Sequence, residues 1–125
     1  MILLLDAHAL LWWLADDPTL SDDARAAIAA PANDVLVSAG TVWEIGIKRA
    51  LGKLSAPDGL VDAIEASSLG SLPILAMDGE RAGRLPAHHR DPFDRMLVAQ
   101  ASRLDAVIVT RDAAFAPYDV NVLAA

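Results

Sequence analysis

The chain has 125 residues, 54% of them hydrophobic and 22% charged, which suits one packed domain over residues 1–125 and excludes a disordered polymer. Its 17 acidic and 10 basic residues give a net charge of −7, which excludes a general nucleic-acid coat but not an enzyme that cuts nucleic acid through a bound cation. Cysteine is absent, so disulfides, thiolate zinc sites, iron–sulfur clusters and Cys nucleophiles are excluded, and a reducing compartment fits.

Residues 2–5 form a nearly continuous apolar run that meets Asp6, and no basic residue precedes it, so it reads as a buried strand and not as a signal peptide. Residues 7–15 follow as a helix that is apolar nearly all round and too short to span a bilayer. Ser21, Asp22 and Asp23 supply a cap and first-turn acids for a helix that Pro31 ends. Residues 35–37 give a second buried strand. Thr41 to Glu44 has the capping-box spacing, with Trp43, Ile47, Ala50 and Leu51 as the apolar stripe behind it and Gly52 as the stop. Asp58 is placed to cap a helix running to about Ser68. Asp91 and Pro92 start another helix, with Phe93, Leu97, Gln100 and Ala101 at helical spacing. Residues 106–109 form the third clear strand, and residues 72–75 and 120–123 are weaker edge strands. Strands alternating with helices predict an α/β fold, with a parallel sheet of about four to five strands covered by helices. A soluble, cytoplasmic protein with no membrane association is expected.

In such a sheet, ligands bind where the strands end at their carboxyl edge. Asp6 follows the first strand and Asp112 follows the third by two residues. Glu44 and Asp94 sit near the starts of helices that begin at this edge. Four carboxylates from distant segments therefore meet in one cleft. Crowded carboxylates resist ionising together, and a divalent cation removes that penalty. An oxygen-only donor set suits Mg²⁺ or Mn²⁺, and the chemistry is attack of water on a phosphodiester. One carboxylate orients that water or takes its proton. Each acid also has a local structural role open to it: Asp6 and Asp112 as helix caps, Glu44 as the capping-box partner of Thr41, and Asp94 as a first-turn acid.

The chain resembles the PIN-domain family, and within it the VapC-type toxin ribonucleases of bacterial toxin–antitoxin pairs. The resemblance runs over nearly the whole sequence. It rests on Leu4 through Trp12, on Ser38 with Trp43, Glu44 and Ile45, and on Lys48 with Gly52, Lys53 and Leu54. It continues in Leu85 and Pro86, in His89 through Arg95 and in Ala99 through Ala101, and closes with Val109 through Asp112, Phe115 and Tyr118. The resemblance implies a three-layer α/β/α PIN-like fold and an Mg²⁺- or Mn²⁺-dependent endoribonuclease. It places the acidic set on Asp6, Glu44, Asp94 and Asp112, with Asp6, Asp94 and Asp112 as metal ligands and Glu44 as a ligand or a water-positioning group. Thr110 would bind a metal-bound water or steady Asp112, and Ser38 would act similarly. The partners it implies are an RNA substrate, a cognate antitoxin and a second copy of the chain. A departure is Arg111, a bulky cation beside Asp112, which either contacts substrate phosphate or points to solvent. The alternative in another class is a PIN-fold module that binds partners and has lost catalysis.

Asp91 reads best as a helix cap, three residues from Asp94 and on the same side. His8, His88 and His89 lack zinc spacing. Arg81, Arg84, His88, His89, Arg90 and Arg95 make the one locally basic segment, which either receives RNA phosphates or is a solvated loop. Lys48 lies four residues after Glu44, the favoured order for a helical ion pair, and that role competes with phosphate binding. The apolar helix after Asp6 suggests that Trp12 or Trp13 serves an interface. A signalling receiver domain would need a late Lys, and the last here is Lys53; a haloacid-dehalogenase-type phosphatase would need an Asp where His8 stands.

Overall fold

The computed structural model describes residues 1–88 and 90–125. Five parallel strands form one sheet: β1 (Ile2–Leu5), β2 (Asp34–Ser38), β3 (Gly70–Leu72), β4 (Val107–Thr110) and β5 (Asn121–Ala124). Their order is β3-β2-β1-β4-β5, which puts the first strand in the middle and the two weaker segments at the edges, as their composition predicts. The helices are α1 (Ala7–Leu14), α2 (Asp22–Ala29), α3 (Ala39–Ala50), α4 (Leu60–Ala66), α5 (Ala76–Arg84) and α6 (Pro92–Leu104).

Strand alternation divides the core into two layers. Leu3 and Leu5 of β1, Val35 and Val37 of β2 and Val109 of β4 face α1 through α4, where Leu10, Ile28, Ile45 and Ile64 close the layer. Leu4 and Ile108 face the opposite way, onto Leu97, Val98 and Ala101 of α6 with Phe115 and Tyr118. Each fully buried Leu or Ile contributes about 1.5–3 kcal/mol by leaving water, so both faces of the sheet are stabilised and the apolar runs are continuous. The fold is the expected three-layer α/β/α sandwich.

Local chemistry sets the helix starts, and in three places it differs from the expectation. The helix after β2 begins at Ala39, with Ser38 as its cap: Ser38 Oγ accepts from Gly40 N–H at 3.0 Å. Thr41 is thus inside the helix, its buried hydroxyl has no hydrogen-bond partner among the described residues, and Ser38 rather than Thr41 is the cap, so the Thr41–Glu44 capping box does not form. The Trp43, Ile47, Ala50 and Leu51 stripe turns outward, with Trp43 65% exposed, because Gly40, Thr41, Glu44 and Ile45 form the inner face. The fourth helix is preceded by Gly59 in the left-handed region (φ 67°), while Asp58 pairs with Arg49 instead of capping. Residues 76–84, for which no helix was expected and whose Arg81 and Arg84 open the basic segment, form α5. Here Asp78 caps Leu75 N–H at 2.9 Å, and its carboxylate, 1% exposed, takes two bonds from Arg103 at 2.6 and 3.0 Å. Burial pushes the Asp78 carboxyl up, but the Arg103 guanidinium and the Leu75 N–H outweigh it and hold the group below the usual carboxylate range. By contrast, Ser21 caps α2, and Asp91 with Pro92 opens α6, as the sequence predicts.

Candidate active site

The carboxyl ends of β1, β2 and β4 lead into a cleft of about 360 Å³. Asp6, Glu44, Asp91, Asp94 and Asp112 line it, together with His8, Trp12, Lys48 and Arg111. All four predicted acids therefore share one cavity, and Asp91 joins them.

Asp6 is fixed first. It follows the central strand and caps α1, its Oδ1 accepting from Ala9 N–H at 2.9 Å. Its Oδ2 accepts from the Thr110 hydroxyl at 2.5 Å. The carboxylate is 8% exposed, and burial pushes its pKa up; the Thr110 and Ala9 bonds pull it down by less, and the charge of Asp112 adds to the rise. Thr110, the last residue of β4, also accepts from Asp112 N–H at 3.0 Å. One buried hydroxyl therefore ties two acids of the cleft together. Asp112 caps the short 3₁₀ turn Ala113–Phe115 by accepting from Ala114 N–H at 2.9 Å.

The opposite wall comes from α3 and α6. Glu44 lies on the inner face of α3, 5% exposed, and its Oε2 accepts from Lys48 Nζ at 2.6 Å. That bond raises the Lys48 pKa; burial opposes it, and the charges of Glu44, Asp91 and Asp94 reinforce it. Asp91 caps α6 through Phe93 N–H at 2.8 Å and Asp94 N–H at 3.3 Å, which sets Asp94 in the first turn.

The remaining candidates fall elsewhere or take other roles. Ser38 is fully buried as the cap of α3 and does not line the cleft. Arg95 donates to the carbonyls of Ala82, Leu85 and Pro86, bracing the end of α5. Arg90 is exposed and His89 lies outside the described residues. Arg111 does not point freely to solvent: it donates to the main-chain oxygens of Thr19 and Ala125 and lies 4.6 Å over the ring of Trp12. Trp12, one of the two tryptophans offered to an interface, is a wall of the cleft. The signal for that is its position four residues after His8, whose ring packs against it at a 44° tilt with centroids 5.7 Å apart, on a helix starting at the carboxyl edge.

A family model described as PIN domain matches residues 3–121. The chain belongs to the PIN domain family. PIN domains are typically nucleases and generally use divalent metal ions. Solved structures share the fold of this PIN domain. VapBC2 from Rickettsia felis, bound to a DNA fragment from its promoter, has a TM-score of 0.72 at 16% identity, covering 98% of both chains. DNA-bound VapBC from Salmonella typhimurium has a TM-score of 0.69 at 18% identity, over 98% of this chain and 97% of that one. FitAcB from Neisseria gonorrhoeae has a TM-score of 0.64 at 18% identity, over 99% and 97%. No curated protein gives a significant match. Among the described residues, no helix is long and apolar enough to cross a membrane.

The donor chemistry of the cleft fits a hard divalent cation. Its candidate ligands are carboxylate oxygens, and the buried, electrostatically crowded Asp6 gains from a positive charge. Among the described residues, however, no three acidic or histidine side chains are drawn together around a single point that could hold an ion.

Proposed function

We propose that this PIN domain is an Mg²⁺- or Mn²⁺-dependent endoribonuclease acting in the cytoplasm as the toxin of a toxin–antitoxin pair. The observation that carries the reading is the single cleft in which Asp6, Glu44, Asp94 and Asp112 meet at the carboxyl edge of the sheet. Asp6, Asp94 and Asp112 would hold the metal. When bound, the ion supplies a water of lowered pKa and a positive charge for the phosphoryl oxygens.

The chain's own groups do the rest. Thr110 bonds the Asp6 carboxylate and the Asp112 backbone N–H, and Ala114 N–H holds the Asp112 carboxylate, so both acids are positioned before substrate arrives. Glu44 orients the attacking water or joins the ligands. Arg90 and Arg111 receive RNA phosphates, Arg90 from its exposed position next to Asp91 and Arg111 from the cleft wall. Arg95 lies outside the cleft lining, and its donors hold the end of α5. The antitoxin partner is supported by the shared fold with the VapBC and FitAcB complexes. Self-association into a homodimer is supported by exposed apolar side chains such as Trp43, Leu51 and Met77.

The test is cleavage of total bacterial RNA by the purified protein with Mg²⁺ or Mn²⁺, against EDTA, beside Asp6→Asn. Asn keeps the cap to Ala9 but loses the charge, so cleavage should vanish and Mn²⁺ binding should weaken while the fold persists. Wild-type activity in Asp6→Asn would sink the site assignment. A folded protein that binds Mn²⁺ and never cuts RNA would point instead to a partner-binding module without catalysis.

A further inference from the structure

Lys48 lines the cleft but has no part in the reaction as described. Its Nζ lies 2.6 Å from Glu44 Oε2, and the charges of Asp91 and Asp94 act on it from the start of α6. Glu44 is nearly out of solvent, whereas the Lys48 side chain is about one third exposed, so the ammonium covers the carboxylate from the cleft side. The other cation lining the cleft, Arg111, is held by the main-chain oxygens of Thr19 and Ala125 and by Trp12. The two ends of the cleft thus differ. At one end, Asp6 and Asp112 are joined through a neutral hydroxyl. At the other, Glu44 is already bonded to a positive charge.

We propose that Lys48 is a positioning residue, a built-in counter-ion that holds Glu44 back from the metal and leaves a single divalent cation to Asp6, Asp94 and Asp112. This rests on the metal-nuclease reading. A monovalent ammonium bonded to Glu44 takes up an oxygen that a second ion would need and repels any ion brought near it. Glu44 then remains free to orient water, with Lys48 fixing its carboxylate.

The experiment is Mn²⁺ titration of the full chain, followed by calorimetry and by the Mn²⁺ paramagnetic resonance signal. It compares wild type, Asp6→Asn, Lys48→Gln, Lys48→Met and Lys48→Arg, each confirmed folded by circular dichroism. Wild type should bind one ion. Lys48→Gln and Lys48→Met should bind Mn²⁺ about tenfold more tightly or take up a second ion, because one repelling charge is gone. Lys48→Arg keeps the charge and should behave as wild type. Unchanged affinity and stoichiometry in both uncharged variants would overturn the proposal, as would an equal change in Lys48→Arg. Mn²⁺ binding by wild type that is lost in Asp6→Asn upholds the metal site whatever Lys48 does. Absence of binding in every variant removes the metal reading itself, and the proposal with it.

Discussion

Replacing Thr110 with Val tests how the cleft is held together. The hydroxyl donates to Asp6 at 2.5 Å and accepts from Asp112 N–H at 3.0 Å, and Thr110 is 1% exposed. A hydrogen bond to a buried carboxylate contributes about 1.5–3 kcal/mol, and the second bond about 0.5–1.5 kcal/mol. Asp112 is exposed, so water recovers most of the second contribution, and the net loss is about 2 kcal/mol. At roughly 2.1 cal/mol/K of unfolding entropy per residue, a domain of this length loses about 4 °C in Tm per kcal/mol. Thr110→Val should therefore melt about 8 °C below wild type. Thr110→Ser keeps both bonds and gives up one buried methyl, worth about 1 kcal/mol or about 4 °C. Thermal unfolding followed by circular dichroism measures both. If Thr110→Val melts at or above Thr110→Ser, the hydroxyl bridge contributes nothing, and the argument that it preorganises Asp6 and Asp112 fails.

Three further outcomes follow from the same geometry. Asp78 is held below the usual carboxylate range in the folded chain, so its contribution is present above the unfolded value and fades as pH falls through the folded one. Arg103→Gln should accordingly be destabilised most near neutral pH, and its deficit against wild type should narrow on acidification below about pH 4, read from urea unfolding at several pH values; a constant deficit would contradict the pairing. Gly59→Ala places a side chain at φ 67° and should cost about 1 kcal/mol in the same assay, whereas no loss would mean the start of α4 relaxes freely. Expression of the chain without an antitoxin should arrest bacterial growth and Asp94→Asn should relieve the arrest; equal toxicity of the two forms would show that the arrest is not catalytic.

What the sequence makes legible is whatever is local. The runs at β1, β2 and β4 are buried on both faces, so they lack polar alternation and stand out. Asp91 with Pro92, and Ser21 with its acids, carry their capping chemistry within a few residues. By contrast, α5 is polar and carries Gly79 and Gly83, so its pattern is weak; it is held by the Asp78–Arg103 pair, 25 residues apart in the chain, and by Arg95 on its final carbonyls. Glu44 was found through a spacing that the fold does not use. Ser38 starts the helix three residues before Thr41, and this turns Trp43 outward and Glu44 into the cleft. The convergence of the acids follows from the topology, since helices after parallel strands begin at one edge. The hydroxyl bridge between Asp6 and Thr110 spans 104 positions and has no local signature.

That span has a consequence for the order of events during synthesis. The central strand is the first one made, but both groups that complete its end of the cleft, Thr110 and Asp112, belong to the β4 segment. At roughly 5–20 residues per second, the ribosome takes several seconds to travel from Asp6 to Asp112. Throughout that interval Asp6 has neither its bridging hydroxyl nor its acidic neighbour. A partly made chain thus lacks the finished cleft, which comes into being only after β4 has left the ribosome and paired with β1.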